Sequence, residues 1–554
     1  MFLRLYISTL FLIITIISCK SPEVVTPTNT TPPTTTPVVT TTIKITQPTK
    51  NDIFPNSVTL KGEVTIPQNE TIIDRGFSWS LTNSNPTVND NLISLGVTNG
   101  QLETSISGIK PNTTVYYNSY FKNSKTTSYS SVVKTNTSSL VYKPEWDNIY
   151  GDQWNSDSPR GIKLKDGSFI INSYKPSGSD IYGTPKMYLN YYLVKTTSAG
   201  QIEWEKTFSK NIILSTFCET ADGNIVFISQ DKTSLINSVF NKIDKKGNVL
   251  IEKIINNDFG LTFKSNLIKG NDGGFLILTD KSNGSSFGKT DLQLLKLDEN
   301  GNLIWGKSFG GSETENSTSI ISNNNNGYLI LSNSNSTNSG NKSSKLNGTG
   351  FSDIWVLMID NNGTIIWDKS LGGVEKDISG NIIVDKDGNI YVGGTSIYSV
   401  STTESKSSMG YNPGRSDYYL VKLNNKGEKI WDKIIGSSYD DYLYDLSLWG
   451  TDKIVISGRT DGLESNDKFE PNYGVNDIWL VGINTDGIKL FEKNIGGRYM
   501  ENSPQILDIT DNKFTILSTS ESPKSEFKSK DPILWTGSIK NKSDIWLFSF
   551  SLNY

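Results

Sequence analysis

Gly363-Thr-Ile-Ile-Trp367-Asp-Lys369-Ser-Leu-Gly372 is the stretch on which the reading of this chain turns. A glycine is followed by an aromatic four residues on, a lysine two after that, and a second glycine five past the aromatic. The first part returns as Gly200 to Lys206, Gly301 to Lys307, Gly427 to Lys433 and Gly487 to Lys493, and as Gly247 to Lys253 with Ile251 in the aromatic place. The second glycine is kept at Gly310, Gly436 and Gly496. Ahead of the turn runs an apolar strand such as Asp353-Ile-Trp-Val-Leu-Met-Ile359, and earlier a hairpin around a turn such as Asp387-Gly388. Each unit therefore holds four strands, A to D, with A and B joined by a tight turn and C and D by the glycine turn. Units of about 46 to 63 residues fit the blades of a β-propeller and exceed helical solenoid periods. The recurring aromatic buries much area if it wedges between neighbouring blades.

The blade count follows from the ends of the array. The last unit, from near Arg498, includes Ser543-Asp544-Ile-Trp546 and reaches Tyr554 with no strand D. Trp146-Asp-Asn-Ile-Tyr-Gly151 matches Trp367 to Gly372 and stands alone before the first unit. A strand from the N-terminal side that completes the last blade closes the ring and removes both edges. Six whole units and one split unit predict a seven-bladed propeller over 145–554. The units resemble the propeller repeats common in surface proteins of Bacteroidetes. Their Asp-x-x-Gly-x-x-x-Trp turn (Asp298 to Trp305, Asp360 to Trp367) is also similar to repeats of pyrroloquinoline-quinone enzymes. The resemblance implies the fold and leaves function open, because such repeats serve many roles.

Residues 43–137 read as short alternating strands, among them Ser57 to Val64, Gly76 to Trp79, Glu103 to Ser107 and Val115 to Phe121. This spacing suggests a small β-sandwich. Ile109-x-Pro111-x-Thr113 before an aromatic strand resembles fibronectin type III domains. Their corner tyrosine, however, aligns with Val115, and tyrosines come only at Tyr116 and Tyr117. The whole chain is thus expected to be all-β, a fibronectin type III-like sandwich followed by the propeller.

At the N-terminus, Arg4 precedes an apolar run from Leu5 to Ile17 that ends Ile16-Ile17-Ser18-Cys19. This is a signal-peptide core over 1–18, too short to span a bilayer comfortably. The aliphatic-small-Cys ending resembles the lipobox of bacterial lipoproteins, which implies lipidation at Cys19, palmitate among the acyl chains. Several acyl chains on one residue give lasting attachment. Lys20-Ser-Pro-Glu23 is similar to the export signal of surface lipoproteins in Bacteroidetes. Residues 24–42 are mostly Thr, Pro, Val and Asn, a spacer that cannot bury a core; Cys19 and this linker span 19–42. The expected location is the outer membrane, lipid-anchored and cell-surface exposed, with the periplasmic face as the alternative.

The 554 residues carry a net charge of −4, which gives no basic footprint for nucleic acid. The chain has no histidine, which removes the commonest general base and metal ligand. Cys218 is the only other cysteine and reads as apolar filler. No catalytic residue, metal site or cofactor is assigned. The long B–C connections offer Tyr174, Tyr182, Tyr411, Phe469, Tyr473 and Trp535, and with the D–A loops they share one face, the usual place for binding. Four of the mature chain's five arginines, Arg160, Arg415, Arg459 and Arg498, fall in or beside these connections, on blades one, five, six and seven. Their forks suit carboxylates, sulfates or phosphates, so they are candidate anion-binding residues, with separate surface ion pairs as the alternative. The aspartate before strand C (Asp291, Asp353, Asp417, Asp477, Asp544) recurs too regularly for one active site and is expected to cap a turn. The tandem Asp440-Asp441 is a lesser acid/base candidate. The leading reading is a membrane-tethered binding or scaffold module with a protein or glycan partner on the loop-rich face. The alternative is a carbohydrate-active enzyme, a glycoside hydrolase or lyase.

Overall fold

The computed structural model describes residues 41–67, 70–150, 159–176, 189–208, 211–213, 215–231, 238–255, 265–282, 286–324, 327–348, 351–397, 416–465, 467–530 and 543–554. Cys19, the signal peptide, the linker up to residue 40, and Arg415, Tyr182, Tyr411 and Trp535 lie outside them, as does the side chain of Tyr174. Among the described residues no helix is long and apolar enough to cross a membrane.

The chain is all-β. Two sheets make the sandwich: Thr42–Thr46, Ser57–Thr65 and Gly100–Ser107 in one, and Asp74–Ser80, Asn91–Ser94, Thr114–Lys122, Thr127–Tyr129 and Val133–Asn136 in the other. Their alternating apolar residues, Val58, Leu60, Phe77, Leu102, Val115 and Phe121 among them, meet in one core.

Seven further sheets follow. Blades three to six run A to D without interruption: Asn266–Lys269 to Leu303–Phe309, Glu315–Ser322 to Ile365–Leu371, Asp377–Val384 to Lys429–Ile435, and Asp441–Trp449 to Lys489–Ile495. Blade one runs from Gly161–Lys163 to Ile202–Phe208, and blade two has a split strand A, Asn211–Ile213 and Cys218–Glu219. In blade seven, Glu501–Thr510, Lys513–Ser520 and Asp544–Asn553 are completed by Val141–Tyr150 from the N-terminal side. The closing strand that Trp146 announces is therefore present, and it begins five residues earlier than the matched motif.

The apolar cores lie between the blades. Leu331, Val356 and Met358 of blade four pack on Ile382, Val392 and Tyr419 of blade five. Leu517, Ile545 and Leu547 of blade seven pack on Phe169, Ile171 and Val194 of blade one, which closes the ring. The glycine turn explains the motif. Gly200, Gly247, Gly363, Gly427 and Gly487 have φ between 74° and 77°, and a Cβ there would also meet Trp146, Trp204, Trp305, Trp367 and Trp431 of the preceding blade. Where Ile251 replaces the aromatic, Phe240 takes the place over Gly301.

Strand D bulges in every blade at the residue before the aromatic position: Glu203, Leu250, Ile304, Ile366, Ile430, Leu490 and Glu145. A bulge on the outermost strand spoils it as a template for further pairing. On blade six the sandwich exploits it. The Asn56 amide donates to the Leu490 carbonyl (3.0 Å), and Phe54 packs against Tyr554 with ring centroids 5.4 Å apart. Leu490 is 4% exposed, whereas Ile366 at the same register is 57% exposed. Lys110 adds a contact to Glu464 at 3.5 Å.

Candidate functional site

In blades three, four and six the aspartate that opens strand C caps the end of the B–C loop. Its Oδ2 accepts from the amide of Phe287 (2.8 Å) at Asp291, Asn347 (2.8 Å) at Asp353 and Tyr473 (2.5 Å) at Asp477. The other oxygen stands over the glycine that ends strand D: a Cβ at Gly310, Gly436 or Gly496 would overlap Oδ1 of Asp291, Asp417 or Asp477. The acid that opens strand A of the next blade closes the arrangement. Gly311 donates to Glu315 (2.9 Å), Gly373 to Asp377 (2.8 Å), Ser437 to Asp441 (2.5 Å) and Gly497 to Glu501 (3.1 Å). Buried carboxyl pairs therefore sit at successive blade joints. Burial pushes Asp353 up to about 7, with the Asp377 carboxylate adding to it. Asp417 and Asp441 are raised too, chiefly by burial, and Glu501 reaches about 7 for the same reason. Asp441 is thus engaged in the joint, and the backbone carbonyl of Asp440 accepts from the Asp461 amide at 3.0 Å.

The B–C loops behave differently from the expectation. In blades four, six and seven they fold down over the outer strand of their own blade. Ser344 donates its amide to Asp368 (2.9 Å), Glu470 to Glu492 (3.2 Å) and Ser529 to Asp147 (3.0 Å), each acid directly following the aromatic of strand D. A lysine anchors each fold from inside: Lys342, Lys468 and Lys528 are at most 2% exposed. Their ammonium groups donate to Ser370 Oγ (2.8 Å), Asn472 Oδ1 (2.9 Å) and the Ser522 carbonyl (2.7 Å). Burial lowers the pKa of Lys342 and Lys468. The sequence signal was available and unread: Ser339-x-x-Lys342, Ser465-x-x-Lys468 and Ser525-x-x-Lys528 share one spacing. These loops cover sheet edges, which is a structural use of length that loop-length reasoning assigns to binding.

Of the four candidate arginines, Arg160, Arg459 and Arg498 are described, and Arg160 points away from the other two. Arg160 turns across the ring and donates to the Ser265 carbonyl of blade three at 3.1 Å, and burial lowers its pKa. Arg459 stacks on Tyr442 with its Cζ 4.6 Å from the ring centroid, donates to Asn502 Oδ1 at 3.2 Å, and lies 3.9 Å from Asp461. Arg498 is exposed beside Tyr499. Cys218 is buried, and desolvation pushes its thiol up to about 11, as suits filler.

Among the described residues of the loop-rich face, Phe287, Phe351 and Val374 are exposed at blades three to five, and a larger group is exposed around blade six. Tyr439 and Tyr499, on the D–A loops before and after the blade, are 57% and 46% exposed, and Leu463 and Val475 of its B–C loop 59% and 56%. The Leu463 amide donates to Ser438 Oγ (3.2 Å) and the Val475 amide to the Tyr499 carbonyl (3.3 Å), so each aliphatic sits beside a tyrosine. Arg459 and Arg498 belong to the same sector.

A family model described as a beta-propeller repeat matches residues 366–397, from strand D of blade four to strand B of blade five. No curated protein matches the chain. Among solved structures, a protein of unknown function from Bacteroides caccae is similar at 11% identity over 57% of this chain and 89% of that one, with a TM-score of 0.30. One of unknown function from Dyadobacter fermentans is similar at 9% identity over 74% and 99%, with a TM-score of 0.37. A Synechocystis apocarotenoid oxygenase mutant is similar at 9% over 68% and 88%, TM-score 0.34. These likenesses are remote.

Proposed function

We propose that this protein is an outer-membrane lipoprotein, tethered through Cys19 and exposed at the cell surface, that holds a partner protein or glycan on the loop-rich face of its propeller. The observation that carries the binding role is the sector around blade six. Four large side chains that are about half exposed flank two arginines there, on a rigid ring, and exposed apolar groups gathered in this way mark interaction sites. The lipobox and the Thr/Pro spacer support the anchor. Of the acids with raised pKa, Asp353, Asp417, Asp441 and Glu501 are buried in the blade joints.

The test has two arms. Cys19→Ala should abolish palmitate incorporation and release the protein from the membrane fraction; continued attachment removes the anchor. For the face, the purified mature chain is taken to a glycan array and to outer-membrane pull-downs. Tyr439→Ala/Tyr499→Ala and Arg459→Ala/Arg498→Ala should each lose the captured ligand. Capture that survives both double variants places the ligand elsewhere.

A further inference from the structure

The closing strand departs from the repeat at one place. Elsewhere the residue two past the aromatic position is lysine, and its alkyl chain lies along the next blade's glycine turn, as Lys206 does at Gly247, Lys307 at Gly363 and Lys433 at Gly487. In the closing strand that residue is Asn148, whose short side chain lies over Gly200 and donates to the Ala199 carbonyl at 3.4 Å but lacks the alkyl length to run on along the turn. A cleft of about 440 Å³ opens between the closing strand, the folded-down loop of blade seven and the turn of blade one. This volume falls in the range of small-molecule sites.

Tyr142 and Trp146, both part-exposed, line the cleft with the buried Phe548 behind them, and Glu145, Gln201 and Lys530 stand at its polar side. Trp204, Trp367 and Trp431 donate their indole N–H to a carbonyl of the next turn, at 2.9, 3.3 and 3.1 Å. Among the described residues Trp146 and Trp305 make no such bond, and of these two only Trp146 also lacks the lysine. Glu145 is the bulge residue of its strand and is exposed, so its carboxylate keeps lone pairs for a ligand beyond its bond from Ser551 Oγ at 2.8 Å. Lys530 donates to Asn148 Oδ1 at 2.8 Å and holds a donor at the rim. A smaller cleft of about 270 Å³ at the joint of blades four and five keeps its lysine, Lys369, and its only aromatic, Tyr419, is 1% exposed.

An aromatic floor with a free indole N–H, edged by carboxylate, amide and ammonium, matches a molecule with one C–H face and a rim of hydroxyls. Charge narrows the choice. Glu145, Asp147, Lys530 and Lys143, which pairs with Glu145 at 3.5 Å, sum to zero, which favours no ion and leaves hydroxyl groups as the partners that both acceptors and donors can satisfy. We propose that this cleft is a binding site for a neutral hexose ring of a saccharide, stacked on Trp146 and hydrogen-bonded through Glu145, Gln201 and Lys530. It lies apart from the loop-rich face and stands or falls independently of the sector around blade six.

The test uses the mature chain with cellohexaose, mannohexaose and laminarihexaose as probes, read by calorimetry and tryptophan fluorescence. Asn148→Lys restores the lysine of the repeat and fills the cleft, at the loss of the bonds that Asn148 makes with Ala199 and Lys530. At least one probe should bind the wild type, and Asn148→Lys should weaken it at least tenfold with the thermal melting unchanged. Should that variant melt early, Glu145→Ala and Gln201→Ala, both on exposed side chains, should each weaken binding several-fold. No binding of any of the three probes by the wild type overturns the proposal. So does equal affinity in the wild type and the cleft variants. Loss of binding in Arg459→Ala/Arg498→Ala but not in Asn148→Lys assigns the sugar to the loop-rich face and overturns the cleft; the reverse result supports the cleft alone.

Discussion

The joint between blades four and five and the joint between blades seven and one perform the same task with different parts. At the first, the chain runs straight on from Leu371 to Asp377. Trp367 wedges over Gly427 and donates to the Asn425 carbonyl, and Asp353 and Asp377 face each other across the glycine turn. At the second, the outer strand comes from the far end of the array. Trp146 wedges over Gly200 as its counterparts do, yet its indole bond is missing and Asn148 stands for the lysine. The apolar wedge is common to both, so it is the part a joint requires. The polar fasteners are additions, and where they are left out, space opens beside the aromatic.

The harshest way to break the comparison is to remove Val141–Tyr150. Asp544–Asn553 would then present a ten-residue unpaired edge, and the core of the last joint would lie open. The expected result is loss of a cooperative thermal transition by circular dichroism and rapid proteolysis of the propeller; a sharp transition near the wild-type temperature would show that closure is dispensable.

The pH dependence separates the polar fasteners from the wedge. A carboxyl whose pKa is raised on folding favours the protonated form in the native state. Its contribution is whole below the ordinary carboxylate value of 3.8 and is lost as pH rises through the folded value, about 7 for Asp353. Stability from urea unfolding should therefore fall by several kcal/mol between about pH 4 and pH 8, since each pKa unit is worth about 1.4 kcal/mol. Asp353→Asn and Asp417→Asn should flatten that fall. A flat wild-type profile would mean that the pairs are ionised and paired by other means.

How far the sequence carried this picture follows the range of the interactions. Blade number, strand order and the closing strand were legible, because Gly363 to Gly372 and its copies encode a local turn and a wedge between adjacent units. The capping aspartates were legible for the same reason, since Asp353 and Asn347 are six residues apart. The use of the B–C loops was not. The partner of Ser344 is Asp368, 24 residues on, and that of Ser529 is Asp147, 382 away. Length and aromatic content point to a binding face and carry no sign that the loops also cover strand edges. The arginines illustrate the same limit: adjacency in the ring says nothing of direction, and Arg160 turns toward blade three.

A smaller effect tests the glycine that each carboxyl pair encloses. Gly436 has an ordinary φ, so alanine is opposed there by the Asp417 oxygen alone. Gly436→Ala should cost about 2–3 kcal/mol by overpacking. Combined with Asp417→Ala it should cost less than the sum of the two, and a double-mutant cycle by denaturant unfolding reads that coupling directly. Additive costs would separate the glycine from the aspartate.

The smallest change addresses the wedge itself. Phenylalanine keeps the aromatic surface and removes the indole N–H. At Trp367 this deletes the bond to the Asn425 carbonyl and leaves that carbonyl one donor short, so Trp367→Phe should destabilise the protein by about 1 kcal/mol more than the lost ring area explains. At Trp146 no such bond exists to lose, and Trp146→Phe should cost only the packing difference. Equal losses at the two positions would mean that the indole bond adds nothing to a joint, and the contrast between the continuous and the closing joint would then rest on Lys369 and Asn148 alone.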